Sequence, residues 1–166
     1  MEKELNVRIR NLCVDDAKPL FQLIEANRGY LAEWLPWAIK TLAEDQTTEF
    51  IRHANLLRAA RRGLFCVILL EHSICGVVGY VLKNDNCHIS YWVGEGYTGI
   101  GVATSALKIF LDCKLREIDP NKVIATISKS NIASLKVAKK CGFKLNKYSN
   151  NASNKLEFIS NGFTSF

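Results

Sequence analysis

Residues 91–104 read YWVGEGYTGIGVAT, in which an apolar strand runs into a glycine-rich turn and then into a helix. The first turn of a helix leaves about four backbone N–H groups without partners, and the helix dipole places about +0.5 charge there. Glycines let an anion approach those amides closely. This stretch therefore predicts a phosphate-binding loop at the start of a helix.

The same glycines also match a dinucleotide-binding pattern, since Gly94, Gly96 and Gly99 spell G-x-G-x-x-G. A dinucleotide fold places an acidic residue at the end of the next strand, where it holds a ribose. The next predicted strand, residues 122–128, instead ends in a serine that is followed by a lysine. We therefore reject the dinucleotide interpretation.

Length and composition are typical of one globular domain, which we expect to span residues 1–166. Hydrophobic residues make up 48% and charged residues 23%, as in ordinary soluble proteins. The longest apolar run, residues 64–70, is too short to span a membrane, and the MEKE start lacks the apolar segment of a signal peptide. We therefore expect a cytoplasmic protein that does not associate with membranes.

Cysteines and charge exclude several other classes. The six cysteines are scattered without a C-x-x-C pair, so we expect reduced thiols, largely in the core, and no metal site. The net charge is +6, but the positive residues form one dense cluster, at positions 58–62, near a predicted helix end where cations complement the dipole. RNA-binding aromatic signatures are missing. We therefore expect a polyanionic small ligand and no direct nucleic-acid recognition.

Hydrophobic periodicity predicts alternating strands and helices along the chain. A strand at residues 5–10 precedes a helix that begins at Asp15, and residues 30–39 form a short helix or loop. A helix with capping-box spacing from Thr41 should end at Arg62, with Gly63 as its stop. The later elements are strands at residues 64–70, 73–82, 87–93, 123–128, 143–148 and 155–159, and helices at residues 102–116 and from Asn131.

The motifs in and around the loop resemble those of the GNAT superfamily of acetyl-CoA-dependent acetyltransferases. The loop at residues 98–103 is followed by Asn-x-x-Ser from Asn131 and by Gly-Phe at Gly142, in the order found in that superfamily. The segments YWVG (91–94) and LAEWLPW (31–37) resemble the branch that acetylates the N-terminal Ser or Ala of ribosomal proteins. The resemblance implies an α/β (α+β) GNAT fold, with a mixed, mostly antiparallel sheet of about seven strands flanked by about four helices.

This resemblance covers about residues 5–148 and implies transfer of an acetyl group from acetyl-CoA to a primary amine. The acceptor would be a protein or peptide N-terminus, above all that of a ribosomal protein, or a small amine such as a polyamine or an antibiotic. Because Thr98 stands where the superfamily carries Gln or Arg, a non-catalytic acyl-CoA-binding module is a further alternative. The chain would act as a monomer or a homodimer.

The resemblance also implies where acetyl-CoA binds. Amides of the loop would hold the pyrophosphate, and the pantetheine arm would lie beside residues 91–93 like an added strand. Asn131 is a helix N-cap, a cofactor contact or both. The implied cofactor-binding residues are Tyr91, Trp92, Val93, Thr98, Gly99, Ile100, Gly101, Val102, Ala103, Thr104 and Asn131.

The resemblance indicates the catalytic residues less directly than the cofactor-binding residues. The resemblance implies Ser134 as the acid for the leaving thiolate, since Ala138 stands where many other members carry a tyrosine. Positions where relatives place a glutamate base carry Thr126 and His88. Because imidazole changes charge near neutral pH, His88 is the candidate base, with a structural histidine or a water chain as alternatives. The implied acceptor-binding residues, which could also be plain core, are Tyr30, Trp34 and Trp37.

Overall fold

The computed structural model describes residues 5–147 and 154–160. The N-terminal part consists of β1 (Val7–Asn11), α1 (Ala17–Ala26), α2 (Arg28–Ala32), α3 (Trp37–Lys40) and α4 (Glu44–Ala59). The central strands are β2 (Gly63–Leu70), β3 (Ser73–Lys83) and β4 (Asn86–Val93). The remaining elements are α5 (Val102–Lys114), β5 (Val123–Ser128), α6 (Ile132–Lys140), β6 (Phe143–Leu145) and β7 (Lys155–Ser160).

One sheet of seven strands runs through the described residues in the order β1-β2-β3-β4-β5-β7-β6. Neighbouring strands are antiparallel except β4 and β5, which run parallel. This confirms the mixed, mostly antiparallel sheet. The described part holds six α-helices rather than about four, because the segment predicted as a short helix or loop contributes two helices of five and four residues.

Two hydrophobic layers enclose the sheet. On one face α5 buries Leu107 and Phe110 against strand residues such as Val78. On the other face α1 and α4 bury Leu20 and Ile51. Each such side chain contributes about 1.5–3 kcal/mol on leaving water. These two layers fix the position of β4, the strand that leads into the glycine loop.

The helix predicted from Thr41 starts later than expected. Its first residue is Glu44, and the N-cap is Ala43. The Gln46 side chain accepts hydrogen bonds from the amides of Leu42 (2.7 Å) and Ala43 (3.1 Å). The capping interaction therefore forms two residues later than the spacing predicted, and Gln46 rather than Glu44 is the side chain that reaches back to the N-cap amide.

The same helix also ends earlier, at Ala59 rather than Arg62. Arg61 takes a φ of 55°, which turns the chain toward the sheet. Gly63 is the first residue of β2 rather than a helix stop. A Cβ there would lie 2.8 Å from the Tyr80 carbonyl oxygen, so close strand packing explains this glycine.

The six cysteines are free thiols that are buried, exposed or, in the case of Cys141, half-buried. Cys66, Cys75 and Cys87 are buried, and burial raises their pKa to about 11, 11 and 12. Cys13 and Cys113 are exposed, so the expectation of core thiols fails for these two. No cluster of three His, Cys, Asp or Glu that could hold a metal ion occurs within residues 5–147 and 154–160. No helix in that part is long and apolar enough to cross a membrane.

Candidate active site

The candidate active site lies where β4 and β5 separate. Their parallel pairing covers only residues 87–89 against 123–125. Beyond that point residues 90–93 pair with β3 on their other side, and residues 126–128 pair with β7. No strand of the described chain occupies the gap between them. One backbone edge of β4 is therefore available for hydrogen bonds to an extended ligand.

A cavity of about 740 Å³ occupies this gap and extends past the glycine loop to α6. It brings together most of the predicted site residues: Tyr30, Trp34, Tyr91, Trp92, Val93, Thr98, Gly99, Gly101, Val102, Ala103, Thr104, Asn131 and Ser134. Three predicted residues, His88, Ile100 and Trp37, do not line it. Polar residues that the sequence analysis did not assign also line it, namely Ser90, Tyr97, Ser128, Lys136, Lys140 and Lys155.

The glycine loop presents a run of free backbone donors. Gly99 and Gly101 have φ values of 76° and 95°, which L-residues with a side chain rarely adopt. The amides of residues 99–104 have no hydrogen-bond acceptor within the described chain, and Ser105 N–H is the first to find one, the Gly101 carbonyl at 2.9 Å. These donors sit at the N-terminus of α5, so the loop is built to bind an anion.

The Thr98 side chain forms a hydrogen bond within its own turn of the chain. Its hydroxyl donates to the Glu95 carbonyl oxygen at 2.7 Å and closes the short 3-10 turn at residues 95–97. The side chain thus stabilises the approach to the loop and adds no positive charge to it. A charge that complements an anion has to come from elsewhere in the cavity.

Ser134 and Tyr91 form the polar centre of the cavity. The Ser134 hydroxyl donates to the Tyr91 hydroxyl at 3.0 Å, and Tyr91 donates to the Ser134 carbonyl oxygen at 2.9 Å. Burial raises the pKa of Tyr91 to about 12, although the hydrogen bond from Ser134 opposes this. Asn131 caps α6 by accepting the Ser134 amide at 3.0 Å, which confirms the predicted N-cap.

Ala138 lies one turn beyond Ser134 on the same helix and is fully buried. It packs into the core beneath α5 and offers no proton. Within α6, Ser134 is therefore the hydroxyl that lines the cavity.

An aromatic and apolar wall closes the other end of the cavity. Tyr30 and Trp34 line it together with residues 35–36. Trp37 packs its ring against Trp92, with centroids 5.8 Å apart, and so supports the wall from behind. The Arg28 guanidinium donates to the carbonyl oxygens of Ala38 (2.7 Å) and Thr41, which fixes α3 against α2.

One side-chain amide connects this wall to the glycine loop. Asn27, just before α2, accepts the Glu95 amide at 2.8 Å and donates to the Leu23 carbonyl oxygen at 2.8 Å. Glu95 begins the turn that leads into the loop. The two ends of the cavity are thus joined through Asn27.

Candidate bases lie beside the cavity rather than on its surface. The lining residues include no Asp, Glu or His within the described chain. His88 precedes the lining residue Ser90 by two positions on β4, so both face the same side of the sheet. Glu157 on β7 pairs in register with the lining residue Thr126 and accepts a hydrogen bond from Asn146 at 2.6 Å.

Carboxylates also occur at the rim near the aromatic wall. Burial raises the pKa of Tyr30, and the negative charges of Glu95 and Glu33 raise it further. These negative charges favour a positively charged group near Tyr30. The sequence pattern offered no signal for either this rim or Glu157, since both depend on tertiary placement.

Comparison with known proteins agrees with this geometry. Residues 6–144 match the family model described as an acetyltransferase (GNAT) domain. The chain therefore belongs to the GNAT family and is an enzyme of the acetyltransferase class.

The relatives are ribosomal acetyltransferases by name. A putative ribosomal N-acetyltransferase of Bacillus subtilis, YdaF, is 26% identical over 147 residues, which are 83% of this chain and 78% of that protein. The ribosomal-protein-serine acetyltransferase of Escherichia coli is 23% identical over 143 residues, 84% and 80% of the two chains. RimL, a ribosomal L7/L12 alpha-N-protein acetyltransferase solved with coenzyme A, superposes with a TM-score of 0.82 at 20% identity, over 95% of this chain and 93% of that chain.

Proposed function

We propose that this enzyme transfers the acetyl group of acetyl-CoA to the N-terminal amine of a protein, with ribosomal proteins as the first acceptors to test. The observation that carries the proposal is one cavity in which an open strand edge, a loop of free amides and the Ser134 hydroxyl meet. An anionic, extended thioester fits these features in that order. The names of the two sequence relatives support the acceptor class.

Binding would use the backbone more than side chains. The free amides of residues 99–104 would hold the diphosphate, and the open edge of residues 90–93 would pair with the pantetheine amides. An N–H group on that edge would donate to the thioester oxygen and stabilise the negative charge that develops there in the transition state. The cofactor needs no metal for this role.

The reaction then forms a C–N bond and breaks a C–S bond. The acceptor nitrogen, as a free amine, attacks the carbonyl carbon, and the tetrahedral intermediate expels the CoA thiolate. Ser134 would donate a hydrogen bond or a proton to that sulfur, with Tyr91 holding the hydroxyl in place. The nitrogen of the tetrahedral intermediate loses one proton, which balances the proton that the thiolate gains. An acceptor that enters as an ammonium group has to lose a further proton to a base before it can attack.

That proton would leave through ordered water. Ser90, Thr126 and Ser128 line the cavity on the sheet face that also carries His88 and Glu157. Hydroxyls of this kind hold water in hydrogen-bonded chains. We infer that water carries the ammonium proton to His88 or Glu157, since neither side chain lines the cavity itself.

The shape of the acceptor end favours a peptide. A polyamine carries several positive charges and is best held by carboxylates lining the cleft, whereas the lining here is aromatic and apolar around Tyr30 and Trp34. The rim carboxylates of Glu33 and Glu95 would attract the single ammonium group of a peptide N-terminus as it enters.

The proposal includes a cytoplasmic location and a single domain over residues 1–166.

An assay of acetyl transfer to different amines tests this proposal. Peptides beginning with Ser or Ala, the same peptides with blocked N-termini, spermidine and an aminoglycoside are each incubated with acetyl-CoA, and released thiol is measured. We expect thiol release with the free peptides alone, and mass spectrometry should place the acetyl group on the α-amine. Release with spermidine or the aminoglycoside instead would move the assignment to a small amine. CoA binding with no release in any arm would indicate a non-catalytic module.

A further inference from the structure

Two lysines of α6 line the cavity. Lys136 and Lys140 line it together with Ala133 and Val137, at the i, i+3, i+4, i+7 spacing of one helix face. Neither lysine forms an ion pair within residues 5–147 and 154–160. The cavity has no lining carboxylate in that part, so these ammonium groups face a region that lacks compensating charge.

The two ends of α6 touch different parts of the site. Near its start Ser134 bonds to Tyr91, which marks the thioester end. Just past its end the Cys141 thiol lies 3.6 Å from the Thr104 carbonyl oxygen, in the first turn of α5. The rise of about 1.5 Å per residue separates Ser134 from Lys140 by about 9 Å along the helix axis. Lys140 therefore lies at the end of α6 that approaches the glycine loop, and Lys136 lies at the middle of the helix.

A plain alternative is that these lysines only complement the negative end of the α6 dipole. Of the two, only Lys140 lies in the last turn of the helix, and Lys139 lies there as well, equally placed for that purpose. Lys139 does not line the cavity, whereas Lys136 and Lys140 do. The position of Lys136 and Lys140 on the helix face that lines the cavity therefore indicates that they contact a ligand.

We propose that Lys136 and Lys140 bind the phosphate groups at the nucleotide end of CoA and supply the positive charge that Thr98 does not. The inference rests on the proposed function, since it takes CoA as the ligand. The loop amides are neutral, and an ammonium group adds long-range attraction and a charge-assisted hydrogen bond. The diphosphate and the 3′-phosphate share this chemistry, and the experiment distinguishes them.

Calorimetric binding of CoA and of dephospho-CoA to five proteins tests the proposal: wild type, Lys136→Gln, Lys140→Gln, Lys139→Gln and Lys140→Arg. We expect each of the first two variants to weaken CoA binding about three- to ten-fold, a modest loss because both lysines are exposed. Lys139→Gln, which removes the same charge from the same helix, should stay within about two-fold of wild type. Lys140→Arg keeps the charge and should retain most of the affinity.

Dephospho-CoA, which lacks the 3′-phosphate, shows which phosphate group the lysines bind. A loss seen with CoA but not with dephospho-CoA assigns the lysines to the 3′-phosphate, and an equal loss with both assigns them to the diphosphate. Losses no larger than that of Lys139→Gln would overturn the proposal. Failure of the wild-type protein to bind CoA would instead refute the proposed function, so the two failures are distinguishable.

Discussion

The hydroxyl oxygens of Ser134 and Tyr91 lie 3.0 Å apart, and Tyr91 also donates to the carbonyl oxygen of the same serine at 2.9 Å. In this arrangement the single hydroxyl proton of Ser134 points at Tyr91. To donate to a leaving sulfur, the Ser134 O–H bond has to rotate into the cavity. Tyr91 can then turn its own proton from the carbonyl to the serine oxygen, so the pair can reverse direction without moving a backbone atom.

The first prediction concerns Ser134 itself. Ser134→Ala removes the group assigned to the leaving thiolate, so kcat should fall about ten- to a thousand-fold. CoA affinity, measured by calorimetry, should change little, because the loop amides and the strand edge are intact. An unchanged kcat where chemistry limits turnover would remove Ser134 from the mechanism.

The second prediction tests whether Tyr91 acts through Ser134. Tyr91→Phe keeps the buried ring and removes both hydrogen bonds, so kcat should fall about ten-fold while CoA affinity is retained. The Tyr91 pKa of about 12 keeps the phenol protonated, so this loss should be constant with pH up to about 10.

A double-mutant cycle supplies the control for Tyr91. If Tyr91 positions Ser134, the variant that carries both Tyr91→Phe and Ser134→Ala should turn over at the rate of Ser134→Ala alone. Two losses that multiply would show that Tyr91 acts independently of Ser134.

The third prediction addresses the glycine loop. Gly101 has a φ of 95°, and a Cβ there would lie 3.4 Å from a Leu5 methyl group. Gly101→Val should therefore distort the loop and abolish the CoA-induced rise in melting temperature, measured against the variant's own baseline. Gly96→Val is the matched control, since Gly96 has open space and no positive φ. A full CoA shift in Gly101→Val would contradict the loop assignment.

The fourth prediction concerns the base. If His88 accepts the proton, kcat/KM should rise with pH through an inflection, because only the neutral imidazole can accept a proton. His88→Ala should then lose both the inflection and about a hundred-fold in rate. Glu157→Gln serves as the comparison, because Glu157 lies on the same face of the sheet. A pH profile that survives His88→Ala and is lost in Glu157→Gln would assign the role to Glu157.

The glycine loop and the N-cap at Asn131 were predictable because their signals are local. Positive φ at Gly99 and Gly101 and a side-chain acceptor three residues before a helical amide each depend on a few neighbouring residues. The same local reasoning failed at Thr41. There the Gln46 side chain accepts hydrogen bonds from the Leu42 and Ala43 amides, and the helix starts at Glu44. Local rules predict that a helix begins, and competing side chains decide where.

The pairing of Glu157 with Thr126 could not be predicted in this way. It requires β7 to enter the sheet between β5 and β6, and a slip of one residue would turn Glu157 to the opposite face. The direction in which Lys136 and Lys140 point depends likewise on how α6 is rotated against the sheet. Both features are set by tertiary packing, which spacing along the chain does not encode.

The Asn27 amide has a consequence for how such an enzyme can change its acceptor. Asn27 is hydrogen-bonded both to Glu95 and to α1. Residues 28–41 therefore form a segment that is fixed at its start by Asn27 and closed on itself by the Arg28 contacts to Ala38 and Thr41. Substitutions inside this segment can reshape the wall around Trp34 while the Asn27 contact keeps the glycine loop in place. If the wall holds the acceptor and the loop holds the donor, as proposed, acceptor choice can change separately from donor binding as long as Asn27 and Arg28 are kept.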